Sequence, residues 1–108
     1  MKLKVIRHEA AQRDMAGHVK HIARDSPQSA RRFLEALEQT FDRLAGMPGI
    51  GTQCEFRNPA AAGLRYWRIQ GFRNHFIIYR PTETGIEVIR VLHAAQNWEA
   101  IFEPESSN

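Results

Sequence analysis

The junction Ser26-Pro27 and the apolar stripe behind it constrain this chain more than any other feature. A serine directly before a proline is a sharp helix start. The hydroxyl accepts an otherwise unpaired first-turn amide, and the proline occupies a position where its missing N–H costs nothing. From there Ala30, Phe33, Leu34, Leu37, Phe41 and Leu44 recur at spacings of three and four, with Arg31, Arg32, Glu35, Glu38, Gln39 and Asp42 outside the stripe. The period predicts an amphipathic helix that ends at Gly46 and needs an apolar surface to lie on.

Upstream, Ala11, Met15, Val19 and Ile22 form a second helical stripe over Ala10 to about Arg24, with His18, Lys20 and His21 facing elsewhere. Two helices joined through Asp25-Ser26-Pro27 predict an αα-hairpin, a common way to cover one face of a sheet. Before them, Lys2 to Arg7 alternates like a short strand.

Residues 46–63 hold four glycines and two prolines without periodicity, which predicts a long irregular connection of the kind that is often functional. Three β-rich runs follow, Leu64 to Ile69, His75 to Arg80 and Ile86 to Leu92, separated by Gly71-Phe72-Arg73-Asn74 and by Pro81-Thr82-Glu83-Thr84-Gly85. Both separators are short enough for hairpins. Ala94 to Phe102 carries Trp98, Ile101 and Phe102 at helical spacing. The expected fold is therefore α+β in the order β-α-α-β-β-β-α. It has an N-terminal αα-hairpin on a mainly antiparallel four-stranded sheet, the first strand pairing within the meander, and a short C-terminal helix. Residues 1–103 read as a single domain and 104–108 as a polar tail.

A chain of 108 residues suits one core, and 43% hydrophobic against 25% charged residues excludes a disordered segment. The single cysteine, Cys54, excludes zinc ribbons, Cys-x-x-Cys redox chemistry and disulfide-stapled secreted folds, and reads as an ordinary thiol. The charged N-terminal segment resembles no signal peptide, and no apolar run approaches membrane-spanning length, so a cytoplasmic protein is expected. His18 and His21 stand at i, i+3 without a third ligand, so they read as surface histidines and no metal site is expected.

The net charge of +3 is unevenly placed: residues 57–80 hold five arginines and no acid, and every positive charge after Lys20 is an arginine. Arginine's planar fork suits carboxylate or phosphate pairing, which implies an acidic partner, protein or nucleic acid. Arg65 and Arg68 have opposite strand parity, so the block is not one stripe. Arg65 reads equally as a contact for a partner or as paired with an acid such as Glu35 or Glu87, whereas Arg90, flanked by apolar residues, needs a carboxylate nearby. Tyr66, Trp67, Phe72, Phe76 and Tyr79 read as core beneath the hairpin rather than as a base-stacking surface.

From Val5 to Phe102 the sequence resembles the ParE branch of the RelE/ParE superfamily of toxins from type II toxin–antitoxin pairs. The resemblance is carried by Ser26-Pro27, the Ala30–Leu44 helix, Met47-Pro48-Gly49-Ile50-Gly51, Leu64-Arg65, Phe76-Ile77-Ile78-Tyr79-Arg80 and Val88-Ile89-Arg90-Val91-Leu92-His93, in that order. It implies a toxin without cofactor that poisons DNA gyrase through protein binding and is neutralised by a cognate antitoxin in a hetero-oligomer. The residues it offers as contacts are Arg65, Tyr79, Arg80, His93, Gln96, Asn97 and Trp98. One departure stands out: the family usually has Arg-Asp where this chain has Gln96-Asn97. This raises a second reading, a module that binds an antitoxin without poisoning a target.

The superfamily's other branch implies a ribosome-dependent mRNA endonuclease. Its usual lysines and C-terminal tyrosine are missing, since no lysine follows Lys20 and no tyrosine follows Tyr79. A second version of that chemistry would use Glu55 as base for the 2′-hydroxyl, Arg65 as phosphate clamp and His93 as acid for the leaving oxygen. The catalytic reading requires these three to converge.

Overall fold

A computed structural model describes residues 3–103. The elements are β1 (Lys4–Arg7), α1 (Glu9–Asp25), α2 (Pro27–Gly46), β2 (Thr52–Gln53), β3 (Arg65–Ile69), β4 (Phe72–Pro81), β5 (Gly85–His93) and α3 (Trp98–Ile101), with 3₁₀ turns at Pro48–Ile50 and Pro59–Ala61. The expected 104–108 tail and the start of the Lys2–Arg7 strand lie outside the described residues.

Ser26 serves both helices at once. Its N–H donates to the Ile22 carbonyl at 3.0 Å and closes α1, while its hydroxyl accepts the Ser29 amide at 3.1 Å and opens α2. The hairpin therefore turns on a single residue. Ala30, Phe33, Leu37, Phe41 and Leu44 are buried as the stripe predicts, but Leu34 is 42% exposed. It lies at the margin of the stripe, beyond the width that the sheet covers.

The sheet has five strands in the order β1-β5-β4-β3-β2, one more than the sequence predicts. The extra strand, Thr52–Gln53, pairs with Arg65 and Tyr66 and is too short to leave any alternation to read. β1 does not join the meander's antiparallel pattern; it runs parallel to β5 as an edge strand, with Val5 opposite Ile86. A parallel pair needs a long connection, and here the αα-hairpin, β2, β3 and β4 all lie between the two strands. Gly85 permits the close approach, since a Cβ there would collide with the Lys4 carbonyl. The β3–β4 reversal is also tighter than expected: β4 begins at Phe72 and leaves only Gln70-Gly71 between the strands.

The two faces of the sheet are covered differently. Against the hairpin lie Ile69, Ile77, Tyr79, Ile86, Val88 and Val91, packed on Phe33, Leu37, Phe41 and Leu44. On the other face Leu64, Ile78 and Leu92 form a smaller cluster with Ala61, covered by Phe56, Trp98, Ile101 and Phe102. Fully burying one large aliphatic or aromatic side chain contributes roughly 1.5–3 kcal/mol, so the hairpin face supplies most of the hydrophobic stabilisation. From Cys54 onward the 46–63 connection is thus a lid over the second face rather than a free loop. Asn58 Nδ2 donates to the Phe102 carbonyl at 2.8 Å, and the Arg57 amide donates to Glu99 at 3.0 Å.

Candidate functional site

The sequence names Glu55, Arg65 and His93 as a catalytic set, and the fold does not bring them together. Arg65 stands opposite Tyr79 and His93 opposite His75, four residues apart along β4. At about 3.3 Å per residue this separates them by roughly 13 Å along the strands alone. Glu55 is exposed after β2 and lines a depression with Tyr66 and Trp98, on the face opposite the hairpin. Arg65 is held on the hairpin side, where its Nη1 donates to the carbonyls of Gly51 at 2.7 Å and Gly49 at 3.3 Å. Its partners are backbone oxygens and not Glu35 or Glu87; Glu87 instead faces His8 at 3.3 Å.

Tyr79 explains why Arg65 is placed there. The side chain is completely buried, its hydroxyl donates to the Pro48 carbonyl at 2.7 Å, and it accepts the Gly51 amide at 2.9 Å. A Cβ on Gly51 would come within 2.9 Å of the Tyr79 ring, so only glycine allows the contact. Tyr79 and Arg65 together bolt residues 48–51 to the sheet. Burial pushes the phenol's pKa up, against the opposing pull of the Gly51 amide and the Arg65 charge. As a partner contact Tyr79 is therefore corrected: it offers no surface.

The turn from β5 into α3 gathers the other named residues. Trp98 packs edge-on against Phe76 at 5.3 Å and Tyr66 at 5.7 Å, while its indole N–H donates to the His93 carbonyl at 3.0 Å. Gln96 Oε1 accepts the His93 amide at 2.7 Å, and Asn97 Oδ1 accepts the Ala100 amide at 3.1 Å as the N-cap of α3. Asparagine and aspartate cap helices about equally well. Asn97 therefore caps α3 as an aspartate at this position would, and Gln96 leaves the position before it uncharged. Ala94, Ala95, Gln96 and Asn97 are all exposed. Arg80 lies elsewhere, donating to the Ala60 carbonyl at 3.3 Å.

His18 is not the surface histidine that its spacing suggests. β1 pairs no further than Val88, so α1 completes the edge of β5 beyond it: Asp14 accepts the Val91 amide at 3.0 Å, and His18 Nε2 donates to the Val91 carbonyl at 2.8 Å. Asp14 also grips Arg90 through two bonds of 2.6 and 2.8 Å and is the carboxylate that Arg90 requires. That hydrogen bonding raises the pKa of Arg90, against the opposing effect of burial.

His18, His21, His75 and His93 line one open cavity of about 530 Å³ with Ala95 and Gln96. His75 stands 4.9 Å from both His18 and His93, ring centre to ring centre, and its Nδ1 is buried without a partner. Burial first, then the neighbouring His18, His93 and His21, lowers its pKa to about 4. His93 Nδ1 accepts the Ala95 amide at 3.0 Å, so the proton of its neutral ring sits on Nε2. Among the described residues no group of three or more His, Cys, Asp or Glu is placed to hold a metal ion. Sequence reasoning missed this cluster because its members come from α1, β4 and β5, and only the β4–β5 register joins them.

Comparison with known proteins agrees with this architecture. Residues 5–98 match the family described as the ParE toxin of the type II toxin–antitoxin system, parDE. No curated protein matches the sequence. Among solved structures, the chromosomal ParDE toxin–antitoxin system from P. aeruginosa superposes with a TM-score of 0.65 at 14% identity, covering 84% of this chain and 95% of that one. At this identity the superposition shows a shared fold. The chain belongs to the family of ParE toxins of type II toxin–antitoxin systems.

Proposed function

We propose that this ParE toxin arrests cells by binding DNA gyrase, with no catalytic act of its own, and that it does so in the cytoplasm until its antitoxin covers it. The observation that supports binding over cleavage is the dispersal of Glu55, Arg65 and His93 over two faces and two ends of the sheet. Phosphoryl chemistry needs base, clamp and acid within reach of one phosphate. Here Arg65 is already committed to the Gly49 and Gly51 carbonyls.

The target-facing surface in this reading is the Ala94–Asn97 turn, fixed from behind by Trp98 and by the Gln96 contact to His93. Pre-organised loops lose little entropy on docking, which favours affinity. The Asn97 cap supports an active toxin over an inert antitoxin-binding module, since the element that the Arg-Asp pair would fix is still fixed. Among the described residues no helix is long and apolar enough to cross a membrane.

Pulse labelling just after induction without antitoxin separates the readings. Gyrase poisoning makes DNA synthesis fall first. An earlier fall in protein synthesis would favour mRNA cleavage at the ribosome, and no change in either would favour the inert module.

A further inference from the structure

Four histidines from three elements share one cavity beside the Ala94–Asn97 turn. His18 and His21 come from α1, His75 from β4 and His93 from β5, and with Ala95 and Gln96 they line about 530 Å³. Among the described residues no acid lines it.

The hydrogen bonds already made decide what this wall offers a ligand. Gln96 Oε1 accepts the His93 amide at 2.7 Å, which leaves the Gln96 amino group as a donor. His93 Nδ1 accepts the Ala95 amide at 3.0 Å, so the Nε2 of its neutral ring is a second donor. His18 commits its Nε2 to the Val91 carbonyl at 2.8 Å. A metal ion needs bare lone pairs that converge on one point. Among the described residues no three such groups converge, and the rings of His18 and His93 cannot swing to a shared centre without losing their backbone bonds. The wall suits an anion.

The surroundings are rich in cations. α1 contributes His18, His21 and, at its end, Arg24 and Asp25; β4 contributes Arg73 and His75; β5 contributes Arg90 and His93. α2 packs only the uncharged Phe33 on His75, at 5.0 Å between ring centres. Asp14 is taken up by Arg90 and the Val91 amide. Arg24 and Arg73 are exposed and, among the described residues, pair with no carboxylate. Burial first, then His18, His93 and His21, hold the His75 imidazole down at about 4, with no carboxylate among the causes. An anion seated among the rings offsets that mutual repulsion and lets them take up protons.

We infer that this cavity binds a phosphate group, and that during toxin action the phosphate belongs to the backbone of the DNA duplex on gyrase. Gln96 and His93 donate to its oxygens, and protonated His21, at the exposed rim, pairs with its charge. Gyrase acts on DNA, so a cavity beside the target-facing turn has backbone phosphates at hand. Such contacts add affinity without reading sequence. Because protonated rings hold the anion better, binding takes up protons and strengthens as pH falls. The source of the phosphate rests on the gyrase reading, whereas the site itself does not.

The test titrates the full chain, without gyrase, with a short DNA duplex of arbitrary sequence, with inorganic phosphate and with Zn²⁺ alone. The imidazole NMR signals of His75 and His93 should shift with duplex and with phosphate, and duplex affinity should rise roughly tenfold from about pH 8 to about pH 6. His21 is exposed on α1, so His21→Glu should fold as the wild type does. Its duplex affinity at about pH 6 should fall roughly tenfold, with the salt slope reduced by about 1. Signals that move with phosphate but not with duplex would overturn the DNA assignment. Signals that answer only Zn²⁺, or no probe, would overturn the anion site, as would undiminished duplex affinity in His21→Glu. A wild type that inhibits gyrase while its histidine signals ignore duplex would sink the inference and leave the gyrase reading intact. Duplex binding through these histidines in a chain that spares gyrase would remove the gyrase reading and leave the phosphate site.

Discussion

Asp14 and Arg90 are joined by two hydrogen bonds of 2.6 and 2.8 Å across 76 residues of chain, and the same carboxylate accepts the Val91 amide at 3.0 Å. One side chain on α1 thus neutralises the strand's arginine and caps the strand's open edge. Asp14→Ala leaves a half-buried guanidinium and an orphaned amide, and should cost about 2–3 kcal/mol. Asp14→Asn keeps an acceptor and should lose less. Denaturant unfolding of the two variants measures the order.

Tyr79 and Gly51 define the second prediction. Tyr79→Phe removes the hydroxyl that serves both the Pro48 carbonyl and the Gly51 amide, at an expected cost of about 1–3 kcal/mol. Gly51→Ala should cost at least as much, because the new methyl meets the ring. Limited proteolysis between residues 46 and 63 should accelerate in both variants.

A third prediction concerns acid. The pKa of His75 is lowered from 6.5 to about 4 in the fold, so between these values the unfolded chain binds more protons than the folded one. Stability contributed by neutral His75 is therefore present above pH 6.5 and is lost as pH falls toward 4. His75→Phe, placed among Phe33 and Phe72, should flatten that part of the profile. Thermal midpoints of both chains between pH 7 and pH 4 report it, and parallel curves would assign the acid sensitivity to other groups.

Cys54 gives a fourth. Burial pushes its thiol up to about 11, so little thiolate exists at pH 8. Alkylation of the native chain should be slow at that pH and rise sharply in denaturant. Equal rates in the two conditions would contradict the burial that the loop and α3 provide.

The helices were legible because their signals are local. The Ser26 cap and the three-and-four spacing need no tertiary partner to be read. The two-residue strand β2 and the parallel placement of β1 were not, since strand pairing depends on partners far along the chain. The site was less legible still. Arg65, Tyr79 and Trp98 stood out as residue types suited to contacts, yet the fold uses all three to fasten its own turns. The histidine cluster escaped notice because His75 and His93 become neighbours only through the β4–β5 register.

The most direct test of the central claim is DNA supercoiling by purified gyrase in the presence of the purified chain, with Glu55→Gln beside the wild type. A toxin that acts by binding inhibits supercoiling, and removing the Glu55 carboxylate, the base of the nuclease reading, still leaves an inhibitor. A chain that spares gyrase but cleaves message in a translation reaction, and loses that activity in the Glu55→Gln variant, would contradict the account.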